Sequence, residues 1–359
     1  MIKKGAYPAA DPSVLAPKSD HYEFAGPLGA FAVSTTVPLF TYALSYYCNE
    51  EVGCPFPPQS WRGSFDMMIE GIKESLFDGQ AWIIYFGWYA FCVAAWALIP
   101  GEELEGTELR TGGKLTYRIN ALRTLIASFF VTFALIAVKG PAGFTFLYDH
   151  WVGLITASLF NSIVQAVFVY VQSFGAGRLL AKGGNTGNVM YDWYIGRELN
   201  PRIGQFDIKY FNELRPGLIL WALLDISAAC HQYIRLNGTI TDSMILVNIF
   251  HILYVIDGLY NEPAILTTMD ITTDGFGFML SVGDLTWVPF VYSLQARYLA
   301  FHPVHLGLVS SLAIFAFNGL GYYIFRVTNN EKNDFRNGKN KKSEFLIPMQ
   351  CYPLFPLPS

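Results

Sequence analysis

Residues 184–216 read GNTGNVMYDWYIGRELNPRIGQFDIKYFNELRP and lie between two strongly apolar blocks. Four acids stand in this connection, Asp192, Glu198, Asp207 and Glu213, with four bases, Arg197, Arg202, Lys209 and Arg215. A balanced set of that kind suits internal ion pairing. Aromatic residues are mixed with charge over 190–199, and Asn200-Pro201 ends the run, because a residue before proline is pushed out of the α region. Two readings stand: a solvated loop between membrane helices, or a folded cytosolic cap over a site inside a bundle.

The blocks on either side decide the class. The chain has 359 residues, 52% hydrophobic and 16% aromatic, with only 14% charged and a mean hydropathy of +0.31. A soluble domain carries about 25% charged residues. Apolar runs of about 20 residues recur, the length needed to cross a bilayer. In lipid the backbone must satisfy its own hydrogen bonds, so only helices or a closed barrel can span. The runs are continuous rather than alternating, so helices are expected. The expected fold is all-α, a polytopic membrane helix bundle set in a lipid bilayer. Eight spans are read, over 26–47, 81–99, 121–138, 151–174, 217–234, 243–260, 276–292 and 306–325. Pro38 predicts a kink in the first, and Gly283, Asp284 and Pro289 interrupt the seventh.

Lys and Arg set the orientation. With the N-terminus in the cytosol, eighteen of them fall in cytosolic segments and five on the opposite side. Eight spans place both termini in the cytosol. The first twenty-three residues are polar and Pro-rich, lack the apolar core of a signal peptide, and read as a flexible cytosolic arm. Residues 24–336 read as the membrane domain and 337–359 as a divergent tail, basic and then Pro-rich. The loop over 101–120 reads as a polar turn with balanced charges. A net charge of −4 and a pI near 5.9 give no reason to expect a nucleic-acid partner. The five cysteines show no CxxC spacing and no histidine cluster, so no metal site is expected. Cys48 and Cys54 are close enough in sequence for a small lumenal disulfide, with free thiols as the preferred reading.

Polar groups inside the hydrocarbon zone suggest function by default. Tyr254 and Asp257 lie three apart on the sixth span and share a helix face. A phenol beside a carboxyl is a candidate proton donor. Asn261 and Glu262 follow the span; Glu262 is a candidate substrate contact, and for both Asp257 and Glu262 the alternative is an interfacial, solvated, structural role. Asp274 precedes the seventh span and reads as its N-cap, with substrate contact as the second reading. His251, three residues before Tyr254, reads as a hydrogen-bonded packing residue. Lys332 and Arg336 are four apart on a helix leaving the last span. Two cations on one face can hold a phosphate-rich ligand, or serve only as a positive-inside clamp. The glycines over 175–188 fit neither GxGxxG nor GxxxxGKT, so no Rossmann or P-loop phosphate site is read.

GNTGNVMYDWYIGRELNPR, at 184–202, resembles the signature of the sterol C-14/C-7/C-24(28) reductase family, which includes the sterol-reductase half of the lamin B receptor. MDITTDGFGFMLSVGDLTWVPFVYSLQARYL, at 269–299, resembles the Δ14 branch. The resemblance runs from about residue 23 to 336. It implies an NADPH-dependent oxidoreductase of the endoplasmic reticulum membrane that reduces a sterol double bond. A proton would add to C14=C15 and a hydride would then reach the C14 cation. It also implies a proton-relay role for Tyr254 and cofactor phosphate contacts for Lys332 and Arg336. The family has Asn-x-Gln-Lys-x-x-Phe-Arg at the latter element; here Glu331 replaces the Gln and sets a like charge beside a phosphate.

Beyond Arg336 the family continues with Gly-Trp-Trp, His-x-Asn-Tyr, His-Arg-x-x-Arg-Asp and Lys-Tyr-Gly elements, whereas this sequence reads NGKNKKSEFLIPMQCYPLFPLPS. The expectation is a C-terminally shortened chain. The leading function is Δ14-sterol reduction; the alternative is a non-catalytic sterol-binding remnant. A transporter would show matching broken-helix halves, and no such repeat is seen.

Overall fold

A computed structural model describes residues 12–47, 49 and 61–339. Cys48, Cys54 and Cys351 lie outside the described residues, as do residues 1–11 and 340–359 of the expected arm and tail. The chain forms two compact units, Met1–His305 and Leu306–Ser359.

The first unit is a helix bundle. Its long helices are α1 (Gly26–Tyr47), α3 (Gly79–Leu98), α4 (Ala121–Lys139), α5 (Trp151–Gln172), the pair α6 (Ile208–Leu214) and α7 (Pro216–Arg235), and α8 (Asp242–Tyr260). A further helix, α2 (Trp61–Ser75), was not anticipated. The spans α5 and α6–α7 are 61% and 72% buried, against 22–33% for the unit's other spans. The core therefore sits around α5 and α7. α1 continues through Pro38 as one helix.

Polar side chains tie the spans together where apolar packing alone has no preferred register. Thr156 on α5 meets Tyr42 of α1 at 2.7 Å and Ser75 of α2 at 2.6 Å. Asn161 and Gln165 on α5 link Tyr85 and Tyr89 of α3 to Asn212 of α6. Asp78 caps α3 by accepting from the Ala81 N–H and also meets His150 Nδ1 at 2.8 Å.

Among the described residues seven helices, counting α12 of the second unit, are long and apolar enough to cross a membrane, rather than eight. The expected seventh span is the exception. It consists of α9 (Phe278–Val282), a π-helical turn (Gly283–Trp287) and α10 (Val288–Tyr292), followed by α11 (Leu294–Phe301). The cause is local. Pro289 has no N–H and its ring crowds the carbonyl four residues back. The ladder widens just before it, and Val288 N–H bonds the Gly283 carbonyl, five residues earlier. The widened turn lies against the start of α7, where a Cβ on Gly217 would sit 1.6 Å from the Asp284 carbonyl oxygen.

The segment expected as a turn over 101–120 is an antiparallel hairpin. β1 (Glu102–Glu108) pairs with β2 (Lys114–Ile119), Glu102 opposite Ile119. Gly112 and Gly113 make the tip with φ of +77° and +78°, a region that favours glycine. The second unit contributes α12 (Leu308–Arg336).

Candidate functional site

The connection over 184–216 is a folded cap. Asp192 is buried and accepts from Thr186 N–H and Oγ1 and from Gly187 N–H, at 2.9, 2.7 and 3.0 Å. Glu198 pairs with Arg178 at 3.1 Å and Asp207 with Arg202 at 2.9 Å. Arg197 donates to the Ser173 carbonyl and lies over the Phe174 ring. Burial pushes the Glu198 carboxyl up to about 7, with Arg178 opposing the shift. Of the expected internal pairs only Arg202–Asp207 closes within the stretch, Glu198 and Arg215 finding their partners outside it in Arg178 and Glu262, and the solvated-loop reading gives way to a folded cap.

Glycines let the cap approach the 269–278 segment backbone to backbone. A Cβ on Gly196 would lie 2.4 Å from Gly275 C, and one on Gly275 would lie 1.9 Å from the Gly196 oxygen. Phe276 N–H bonds the Glu198 carbonyl at 3.1 Å. Lys209, fully buried, donates its ammonium to the carbonyls of Asp270, Ile271 and Asp274. The two sequence signatures are thus one structural element. The helix after this segment is capped by Gly277, not by Asp274. Asp274 instead offers its carbonyl to Lys209, and burial together with Asp270 raises its carboxyl above the ordinary range. Residues 14–17 of the expected flexible arm are held against the cap. Arg110 bonds the carbonyls of Val14, Leu15 and Leu180, and Asn185 bonds those of Ala16 and Pro17.

Glu262 is 1% exposed, with both carboxylate oxygens taken. Oε1 receives Arg215 Nη2 at 2.8 Å and the Tyr210 hydroxyl at 2.5 Å; Oε2 receives the Ala121 N–H at the start of α4, at 2.8 Å. Arg215 is 0% exposed and also reaches Asn120 Oδ1 at 2.8 Å. The pairing was missed in the sequence because its members are 47 positions apart. This geometry gives Glu262 a positioning role, joining α4 to the α6–α7 junction.

Tyr254 occupies a different setting, half-exposed on α8. Its ring packs on Trp221 of α7 at 5.6 Å between centroids, and Tyr292 of α10 meets the same indole edge-on at 5.2 Å. Asp257 is buried one turn further on, where Asn261 Nδ2 bonds its carbonyl at 2.8 Å. On the other side, His251 lies 4.9 Å from the Trp221 ring and bonds Asp225, which is wholly buried on α7. The packing role expected of His251 is therefore accompanied by an acid that the sequence reading overlooked. A lone carboxyl in the middle of an apolar run was the available signal.

Lys332 and Arg336 stand one turn apart and exposed near the end of α12. Neither has a hydrogen bond or ion pair among the described residues, so both guanidinium and ammonium donors are available to a phosphate.

The sequence of this chain matches the model of the ergosterol biosynthesis ERG4/ERG24 family over residues 18–353, past position 336 where the resemblance was expected to stop. It is 50% identical over 321 residues to Delta(14)-sterol reductase erg24 of Schizosaccharomyces pombe, covering 89% of this chain and 74% of the relative. It is 43% identical to Delta(14)-sterol reductase of Septoria lycopersici, covering 89% of this chain and 72% of that protein. With Delta(14)-sterol reductase ERG24 of Saccharomyces cerevisiae the identity is 40%, over 91% of this chain and 78% of the relative. The bundle with its glycine-docked cap is that of a membrane protein, and the chain belongs to the ergosterol biosynthesis ERG4/ERG24 family.

Proposed function

We propose that this protein reduces the C14=C15 double bond of a sterol, with NADPH, in the endoplasmic reticulum membrane, as a step of ergosterol-type sterol biosynthesis. The observation that carries the reading is 50% identity to a Delta(14)-sterol reductase across 89% of the chain. Tyr254 is the proton donor. It stands on a membrane helix, against an indole and a second phenol, where a rigid apolar substrate finds an apolar wall. Its O–H proton adds to C15, and positive charge develops at C14. Asp257, on the same helix face, is placed to stabilise that charge electrostatically. Glu262 positions the helices, and Asp274 borders the substrate region.

The donors at Lys332 and Arg336 fit a dinucleotide phosphate: two cations without partners among the described residues, one turn apart, on one face. Lys332 and Arg336 would hold the phosphates of NADPH, which when bound would supply hydride. Each cation contributes a charge-assisted hydrogen bond, and its removal weakens NADPH binding about 10- to 100-fold. The test is NADPH binding to the purified chain in detergent, with Lys332→Ala and Arg336→Ala, beside sterol reduction by Tyr254→Phe. Binding that neither substitution alters removes the phosphate assignment. Sterol binding with no cofactor binding returns the chain to a non-catalytic sterol-binding role.

A further inference from the structure

Asp225 is the one wholly buried acid in the middle of α7, among Leu223, Leu224, Ile226 and Ala228. A carboxyl at that depth is costly unless partnered. Its Oδ2 lies 2.8 Å from His251 Nδ1, while Oδ1 has no hydrogen-bond partner. The same Nδ1 lies 3.2 Å from Trp221 Nε1. An indole N–H can only donate, and one imidazole nitrogen cannot donate to Asp225 while accepting from Trp221. With the proton on Nδ1, Asp225 is served and the indole is not. With the proton on the carboxyl, Nδ1 is bare and can accept. The proton has two placements, and neither satisfies every neighbour. The other imidazole nitrogen, Nε2, makes no hydrogen bond among the described residues. His251 precedes Tyr254 by one helical turn, and the two side chains rest on the same Trp221 ring, at 4.9 and 5.6 Å.

We propose that His251, positioned and charge-balanced by Asp225, is the relay that returns a proton to Tyr254 after each turnover. This rests on the reading of Tyr254 as the proton donor. The balance is simple. The Tyr254 O–H bond breaks as the C15–H bond forms. The tyrosinate oxygen then takes the Nε2 proton of the His251 imidazolium, leaving neutral imidazole, which is recharged by a proton from water. Asp225 stabilises the imidazolium and is not consumed.

The test compares the first turnover with later ones, in the full chain in lipid nanodiscs with NADPH and a Δ14-sterol. His251→Gln keeps a hydrogen bond to Asp225 but cannot carry a proton. The expected result is a first turnover within about twofold of wild type, with later turnovers slowed about 10²-fold. Added imidazole should restore His251→Ala. Equal slowing of first and later turnovers, or none, overturns the relay. Tyr254→Phe separates the two readings: a normal first turnover in that variant removes the donor assignment itself. A second readout needs no turnover. Infrared spectra of the sterol-free chain should show an Asp225 band, carboxylate with the proton on Nδ1 or carboxyl with the proton on oxygen, that Asp225→Asn deletes and His251→Gln shifts. If both variants fold as wild type and no such band changes, Asp225 does not share a proton with His251 and the proposal fails.

Discussion

Replacing Glu262 with alanine removes three interactions at once from a place where water cannot substitute. Arg215 is 0% exposed, and its Nε and Nη1 already lack partners. Among the described residues its charge is met only through Nη2, which reaches Glu262, Asn120 and the Arg118 carbonyl, and by the Tyr210 ring at 5.2 Å. Without Glu262 the guanidinium is left buried with neutral acceptors alone. Breaking a buried pair by deleting one partner costs about 3–5 kcal/mol. The Tyr210 hydroxyl and the Ala121 N–H lose their acceptor in the same step, each worth about 1 kcal/mol. Equilibrium unfolding in mixed detergent micelles reads the sum. The paired variant, Arg215→Met with Glu262→Leu, removes both charges and should recover most of the loss, since a matched apolar pair is often neutral or better. With the single variants Arg215→Met and Glu262→Leu, the cycle then reports a coupling energy of about 0.5–3 kcal/mol or more. A Glu262→Ala chain within about 1 kcal/mol of wild type would refute the positioning role and reopen substrate contact for this residue.

Other consequences follow from the cap. Gly196→Ala places a Cβ on the Gly275 backbone at a φ of +98°. The strain alone costs about 1–3 kcal/mol, so the variant should lose thermal stability, while Gly183→Ala, where a Cβ meets nothing within 4 Å, should not. Glu198 titrates near 7 in the fold, against its ordinary 4.5. Its folded form holds the proton more tightly, so this contribution is complete below about 4.5 and is lost as pH rises through 7. Glu198→Gln should flatten the fall in stability across that window, measured by thermal unfolding at stepped pH. Lys209→Met leaves the carbonyls of Asp270, Ile271 and Asp274 without a donor, and hydrogen exchange over 269–275 should accelerate about tenfold or more for each 1.4 kcal/mol lost.

The bundle was legible because membrane spans announce themselves one segment at a time. Continuous apolar runs near 20 residues need no knowledge of their neighbours. The concentration of charge over 184–216 pointed to a folded cap, but of its ion pairs only Arg202–Asp207 is internal; the others reach Arg178 and Glu262, which no local pattern names. What depends on partners distant in sequence was not legible. Nothing local to Glu262 points to Arg215, and nothing in the polar run after Leu98 separates a turn from the β1–β2 hairpin, whose register comes from cross-strand pairing. Asp274 illustrates the limit. An acid shortly before a helix is a fair N-cap, but the glycine-on-glycine contact at Gly196 and Gly275 forces the chain onward, and the helix begins only after Gly277. The broken seventh span was foreshadowed by Pro289, while the choice of a π turn needed the close approach of Gly217.

Intramembrane polar groups in this protein divide by how completely they are partnered, and the division separates structure from chemistry better than position does. Glu262 has donors on both oxygens and a buried counter-ion, so a proton arriving on it would displace a donor and leave the Arg215 charge uncompensated; such a group holds helices rather than relaying protons. Asp225 is equally buried, but one of its oxygens is unpaired and the other shares a histidine nitrogen with an indole N–H. Its proton can move between two sites at little cost in hydrogen bonds, because each placement already leaves one neighbour unserved. Tyr254, one turn from that histidine and half-exposed, is the group to which such a proton can pass. A site that must be recharged on every turnover requires incomplete pairing of this kind, and among the polar groups that line α7 and α8 it is the Asp225–His251 pair that has it.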